Sequence, residues 1–185
     1  MVLLAASGCV RDEESRICPD VAEGDLVVTE IGGPQSGEET LAPFFEIYNA
    51  TSRTIDLEGL RFRLRKLDGN EAGTFIVRRG VTAEAGAYVT LGYAPDAEPP
   101  AYVDYGFTAD YHVSFPTSGA VDMSSCEVLV DRARFDDLPN KGTYSLGTQP
   151  PSAEANDNPI EWCTDDTAND GSFPGTPQRA NPECL

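Results

Sequence analysis

The chain has 185 residues, of which 13 are basic and 31 are acidic, so its formal net charge is −18 at pH 7. A surface this acidic repels phosphate backbones, which excludes nucleic acid as an expected partner. The length is that of one domain built around a single hydrophobic core.

The first nine residues run from apolar to small side chains and end at Cys9. The run MVLLAASGC resembles the end of a bacterial lipoprotein signal, in which the final cysteine is lipidated and becomes the first residue after cleavage. Ala6 stands where leucine is usual, and no basic residue precedes the apolar run. The resemblance implies an exported lipoprotein at the outer membrane or cell surface, or facing the periplasm. The alternative is an ordinary N-terminus with a chance cysteine.

Residues 10–23 are polar and charged and have no periodicity, which is typical of a flexible tether between an anchor and a folded domain. Downstream, the sequence has no apolar run near the roughly 18 residues that span a bilayer. A lipid on Cys9 is therefore the only membrane attachment that we expect.

Two strand-like segments follow, GDLVVTEI at residues 24–31 and FFEIYN at residues 44–49. The loop between them is too long for a tight two-residue hairpin turn. In the first segment Leu26 and Val28 point to one face and Thr29 to the other, an alternation that predicts a half-buried strand.

Three arginines, Arg61, Arg63 and Arg65, alternate with apolar residues in the segment 60–67. This pattern predicts a strand with one apolar face and one wet face. An anion or phosphate site is one interpretation of the arginines. We favour the other, in which they lie on a solvated face and pair across strands with some of the many carboxylates.

Strand signals recur along the rest of the chain, separated by turn residues such as the Asp68-Gly69 pair and the proline-rich loop 93–100. No stretch keeps a helical period, so the sequence predicts an all-β sandwich of eight to ten short strands, with turns between them. From residue 139 onward the chain predicts an irregular coat that Trp162 packs against a sheet. The further predicted strands are 74–77, 86–92, 101–107, 111–115, 121–123, 126–131, 132–135 and 142–146.

Three of these segments, GDLVVTEI, FFEIYN and IDLEGL at residues 55–60, resemble the opening of the lamin-tail domain, an immunoglobulin-like β-sandwich. GAYVTL at residues 86–91 and GTP at residues 175–177, followed by Asn181, continue the resemblance. It implies one such sandwich over residues 24–185, with the coat at 139–185 included. Lamin tails of animal nuclear proteins contact chromatin, but the acidic charge opposes carrying that role over.

Besides Cys9 the chain has four cysteines, and none is spaced as a Cys-x-x-Cys metal site. In an oxidising compartment their even number predicts two disulfides, with three pairings open. We favour Cys163 with Cys184, which would staple the coat, and Cys18 with Cys126, which would tie the N-terminal arm to a central strand. In a cytosolic protein they would instead be buried free thiols.

A catalytic triad would need the single histidine, His112, as its base, with Ser114 two residues on. No G-x-S-x-G elbow accompanies them, so we expect a structural histidine and no catalytic residues. The acidic run at residues 164–171 does not fit the EF-hand spacing. A looser calcium site stays open, against a role of these residues as turn formers and solubilising charge. Its candidate ligands are Asp165, Asp166, Asn169 and Asp170.

The sequence favours a non-catalytic, exported and lipid-anchored sandwich that binds a protein or a glycan through loops or a sheet edge. The alternatives are a hydrolase with a metal or carboxylate site and a calcium-stabilised adhesion module. We favour the binding module because no histidine-bearing constellation and no accompanying catalytic domain are present in the sequence.

Overall fold

The structure is a computed structural model that describes residues 16–36, 41–167 and 174–185, with Glu71 described by its backbone alone. Of the described residues, 36% are in strands and 4% in helices, so the predicted all-β sandwich is confirmed. The strands are β1 Leu26–Gly32, β2 Phe44–Asn49, β3 Ile55–Asp56, β4 Arg61–Arg65, β5 Glu71–Ile76, β6 Thr82–Ala83, β7 Tyr88–Gly92, β8 Tyr105–Gly106, β9 Gly119–Ser125, β10 Val128–Phe135, β11 Thr143–Leu146 and β12 Trp162–Asp165. The helices are α1 Ala153–Asn156 and a 3-10 helix Pro159–Glu161.

Two sheets enclose the hydrophobic core. One has six strands in the order β12-β11-β1-β2-β7-β8, and the other has four in the order β10-β9-β4-β5. Neighbouring strands are antiparallel except β7 and β8, which are parallel. Stacked phenylalanine rings fill part of the core, with 4.1 Å between the centroids of Phe75 and Phe107 and 4.8 Å between those of Phe62 and Phe75.

The hairpin between β4 and β5 follows the prediction closely. Phe62 and Leu64 are fully buried in the core, while the three arginines that alternate with them are half-buried on the outer face. Gly69 adopts a φ of +82° in the turn, a conformation that glycine reaches without the steric cost of a Cβ. The turn residues are thus the ones that the Asp-Gly signal indicates.

Two predicted strands rich in aromatic residues are largely loops. Of residues 101–107 only Tyr105–Gly106 is strand, and residues 111–115 contain none. The ring of Tyr111 is buried in the core, and Phe115 packs on Phe45 with 5.0 Å between ring centroids. The aromatic side chains of this loop thus fill the core although the backbone forms no strand. Their spacing therefore does not indicate strand pairing.

The N-terminal arm, residues 16–23, lies on the sandwich although the sequence assigns it to a tether. Cys18 is bonded to Cys126, and Val21 is buried in the core. Ser125 Oγ donates a hydrogen bond of 2.6 Å to the carbonyl of Pro19. These contacts, with the disulfide at their centre, hold the arm in place, while residues 10–15 of the predicted tether lie outside the described residues.

The coat is more regular than predicted. Strand β11 confirms the predicted short strand at residues 142–146, and it pairs with β1 and with β12 to extend the six-stranded sheet. The end of the chain, residues 174–185, crosses the outer face of this sheet, and we call it the C-terminal strap. Its cover explains why all seven residues of β1 are buried, where the sequence predicts a half-buried strand.

Beneath the strap a row of polar side chains crosses four neighbouring strands. Ser145, Glu30, Glu46 and Thr90 are successive cross-strand partners in β11, β1, β2 and β7, so their side chains share one face. All four are fully buried. We call Glu30 and Glu46 the carboxylate pair.

Backbone groups of the strap bind the carboxylate pair directly. The amide of Thr176 donates to Glu30 Oε1 at 2.8 Å, and the amide of Gln178 donates to Glu46 Oε2 at 2.6 Å. The Asn181 side chain donates to the carbonyl of Thr29, also at 2.8 Å. The strap is therefore fixed to the sheet by polar contacts, in addition to the Cys163–Cys184 disulfide near its end.

Burial and, to a smaller extent, the nearby charge of Asp165 raise the pKa of Glu30 to about 7, although hydrogen bonds from Thr143, Thr176 and Ser145 act to lower it. Burial and the charge of Glu30 raise the pKa of Glu46 well above its usual value. Both carboxyls are thus held toward the protonated form, because ionisation in a dry site is costly.

Candidate functional site

A small, partly open pocket lies where the coat meets the end of β10. Its volume is about 220 Å³, below the roughly 300–1,000 Å³ of pockets for drug-sized ligands. The size suits one monosaccharide ring or one amino acid side chain. We call it the Trp162 pocket, and its lining includes Arg134, Asp136, Tyr144, Asn156, Asp157 and Trp162.

Local sequence signals in the coat build the floor of this pocket. Ser152 caps α1 by accepting a hydrogen bond from the amide of Ala155, and α1 places Asn156 at its end. Strand β12 then begins at Trp162, whose indole N–H donates to the carbonyl of Asn156 at 2.8 Å. The indole stacks on Tyr144 with 4.8 Å between ring centroids and 13° between planes.

Asn156 carries an acceptor with no partner among the described residues. Its Nδ2 donates to the carbonyl of Val28 at 2.6 Å and to Asp131 Oδ2 at 3.1 Å, while its buried Oδ1 accepts no hydrogen bond. A flipped amide would place Oδ1 against two acceptors, so the hydrogen bonds fix the orientation. A buried polar atom left without a partner is costly.

Charged groups surround this floor. The exposed side chains of Asp136 and Asp157 supply acceptors, and the exposed guanidinium of Arg134 supplies donors. Burial raises the pKa of the Tyr144 phenol, and the charge of Asp136 adds to this effect, so the hydroxyl keeps its proton. The pocket thus combines an aromatic floor with polar groups that can bind several hydroxyls.

Behind the pocket, Asp131 links the coat to the sandwich. Its Oδ2 accepts hydrogen bonds from the amide of Val28 at 2.7 Å and from Asn156. Burial raises the pKa of Asp131 to about 7, and the charges of Asp157 and Glu23 contribute in the same direction. Because Asp131 lies behind Asn156, it positions the amide and does not itself line the pocket.

Arg65 pairs with a carboxylate on a neighbouring strand, which is the interpretation that the sequence favours for the arginine face. Its Nε donates to Asp122 Oδ2 at 2.6 Å, and Arg132 donates to Asp122 through Nε and Nη2 at 2.6 and 3.0 Å. Burial raises the pKa of Asp122, but the hydrogen bonds from Arg132 and Arg65 outweigh burial and hold the pKa below its usual value. Asp122 therefore stays ionised between two guanidinium groups.

His112 and Ser114 lie exposed on the loop after β8, and the structure places no hydrogen bond between their side chains in the described ranges. The loop lines two adjoining cavities of about 330 and 720 Å³ at the sandwich surface. His112, expected to be structural, is thus not packed in the core.

The calcium candidates divide between described and undescribed residues. Asp165 is buried, and its Oδ1 accepts a hydrogen bond of 2.9 Å from the amide of Thr167, while Asp166 is exposed. Asn169 and Asp170 lie outside the described residues. Within residues 16–36, 41–167 and 174–185, no group of three or more His, Cys, Asp or Glu side chains is arranged to hold a metal ion.

The cysteine pairing favoured from the sequence is confirmed. Cys18 bonds Cys126 with 5.5 Å between Cα atoms, and Cys163 bonds Cys184 with 5.7 Å. Two disulfides indicate an oxidising, non-cytoplasmic compartment. Cys9, the predicted lipidation site, lies outside the described residues.

Comparison with protein-family models finds no match for this chain, and comparison with curated proteins finds none either. The lamin-tail resemblance therefore stays a prediction. No helix in the described part of the chain is long and apolar enough to cross a membrane.

The sequence predicts that Trp162 packs the coat, and the structure confirms it. Asp136 and the Asn156-Asp157 pair stand out in the sequence only as acidic turn residues, with nothing that places them together. Arg134 and Asn156 lie 22 positions apart in sequence numbering, and no local motif links them. A usable signal was the Ser152 cap followed by an Asn-Asp-Asn run, which predicts a short helix ending in polar side chains.

Proposed function

We propose that this chain is an exported, non-catalytic binding module of the lamin-tail type, anchored by a lipid on Cys9, that holds a glycan in the Trp162 pocket. The observation that carries the proposal is the stacked pair of Tyr144 and Trp162 at a pocket whose lining also includes Arg134, Asp136 and Asp157. The apolar face of a sugar ring packs on an aromatic surface, while its hydroxyls need acceptors and donors around the rim.

Size and polarity support a glycan over a protein side chain. A volume of about 220 Å³ encloses one ring, and polar groups on several sides of it match several hydroxyls. An inserted leucine would engage none of these polar groups.

The test is glycan binding by the full chain, first on an array and then by calorimetry. We expect Tyr144→Leu and Asp157→Asn each to weaken binding about ten-fold or more, because each removes a contact to the ring or its hydroxyls. Glu98→Gln, a charge change at an exposed residue outside the pocket, is the matched control. Binding that survives both pocket variants, or binding to a peptide and to no glycan, would contradict the proposal.

The anchor is tested by the intact mass of the protein purified from the membranes of its own cells. We expect a chain that begins at Cys9 with acyl groups added, and a gain of four protons on reduction of the two disulfides. An unprocessed chain in the soluble fraction would remove the anchor from the proposal and leave the pocket untouched.

A further inference from the structure

A basic groove adjoins the Trp162 pocket on the outer face of the four-stranded sheet. Its volume is about 350 Å³, and Arg65, Lys66, Arg132 and Arg134 line it. The chain has 13 basic residues and a net charge of −18, so four basic side chains around one groove are a strong local departure from the rest of the surface.

Strand register explains why these side chains form a groove. Arg134 in β10 and Arg65 in β4 are both cross-strand partners of Ala120 in β9, so the three side chains share a face with the smallest in the middle. Strands lie about 4.8 Å apart, which places the two arginine Cα atoms about 10 Å from each other. Gly119 also lines the groove.

The positive charge of the groove is only partly used within the chain. Asp122 binds Arg65 and Arg132, but each guanidinium has five N–H donors and retains some for a ligand. Lys66 and Arg134 are exposed and form no ion pair among the residues that the structure describes. The groove can therefore bind an anionic group, and Arg is suited to bidentate binding of carboxylate, sulfate or phosphate.

Arg134 lines both the groove and the Trp162 pocket. A single extended ligand can thus place a ring in the pocket and a negatively charged group in the groove. We propose that the ligand is an acidic glycan, an inference that rests on the proposed function. One neutral sugar ring occupies the Trp162 pocket, and an anionic substituent of the adjoining sugar occupies the basic groove.

Charge makes this assignment specific. Asp136 and Asp157 line the pocket and repel an anion there, whereas the groove attracts one. A polymer with a charge on every unit, such as a nucleic acid, would bring negative groups to both places. An acidic glycan that alternates neutral and charged units satisfies both.

The experiment compares matched tetrasaccharides of alternating uronic acid and N-acetylhexosamine: the acidic form, a form with a sulfate in place of each carboxylate, and a neutral form with reduced carboxyls. We expect the acidic forms to bind about ten-fold tighter than the neutral form at low salt, since several partly exposed ion pairs each contribute up to about 1 kcal/mol. This preference should shrink as salt screens the charges.

Lys66→Gln and Arg134→Gln should each reduce the preference for the acidic forms over the neutral form. Glu98→Gln is again the control. Comparing the carboxylate with the sulfated form identifies the anionic group. Inorganic sulfate alone should compete only weakly, because it cannot reach the pocket.

Equal binding of the acidic and neutral forms would overturn this inference and leave the proposed function standing. Tighter binding of an amine-bearing glycan than of the acidic forms would have the same two consequences. Tighter binding of single-stranded DNA than of any acidic tetrasaccharide would also overturn it. Binding of no glycan at all would remove the inference together with the proposed function.

Discussion

Two buried carboxylate sites in this sandwich show opposite behaviour. Asp122 lies between the guanidinium groups of Arg65 and Arg132, and its pKa is held below its usual value. Glu30 and Glu46 accept hydrogen bonds only from hydroxyl and amide donors among the described residues, and burial raises their pKa values. Burial alone therefore favours the proton, and a positively charged partner reverses that preference.

The largest expected effect of this difference is on the pH dependence of stability. In the folded chain the pKa of Glu30 is about 7, compared with its ordinary value of 4.5. Between these values the folded chain holds more protons than the unfolded chain, so the free energy of unfolding falls as pH rises. Each such group contributes about 1.4 kcal/mol per pH unit. Urea unfolding at pH 5, 6, 7 and 8 measures the fall, and a flat or rising profile would contradict it.

Replacing Asp122 with alanine should cost about 3 kcal/mol at pH 7, because Arg65 and Arg132 would face each other without the carboxylate between them. The control is Glu127→Ala, which breaks the ion pair of Arg16 on an exposed turn and should change stability by less than about 0.5 kcal/mol. Thermal unfolding of both variants gives the comparison. Equal losses would mean that burial adds nothing to the Asp122 pairing.

Glu30→Gln should stabilise the chain by about 1 kcal/mol at pH 8 and flatten the fall in stability between pH 5 and 7, since it removes the ionisation. At pH 5 the variant should be no more stable than the native chain, because Glu30 is then protonated and neutral itself. The measurement is the same urea series. A variant that loses stability equally at pH 5 and pH 8 would show that Glu30 serves only as a hydrogen-bond acceptor.

The smallest expected effect is that of Arg132→Lys, at about 0.5–1 kcal/mol. Lysine keeps the charge but loses the two parallel hydrogen bonds that Nε and Nη2 of Arg132 make to Asp122. The acid limb of the stability profile, below the ordinary Asp pKa of 3.8, should move to higher pH in this variant. No movement would indicate that Arg65 alone sets the pKa of Asp122.

Much of the sandwich was predictable because strand alternation reports burial. Phe62 and Leu64 lie inward and the arginines that alternate with them lie outward, as the pattern indicates. The pattern misled where aromatic residues fill the core from a loop, as Tyr111 does. It also misled in β1, because the strap that covers its outer face comes from residues more than 140 positions later. Local periodicity carries no information about such a distant cover.

The candidate site was less predictable than the fold. The Asp-Gly pair predicts its turn locally, and the even number of cysteines predicts disulfides by simple counting. The Trp162 pocket instead forms only where β10 and the coat meet in space. The arginine alternation in β4 was visible, but its partners Arg132 and Arg134 become neighbours only through the register with β9. A single strand cannot show what the adjacent strands place beside it.

Strand β10 sets the distance between the point where the N-terminal arm leaves the sandwich and the proposed glycan site. Cys126, bonded to the arm, precedes this strand, and Arg134 lies near its other end. Eight residues of extended chain span about 25 Å. For a chain attached to a membrane through that arm, the pocket and the groove would face outward, away from the lipid surface and toward glycans beyond it.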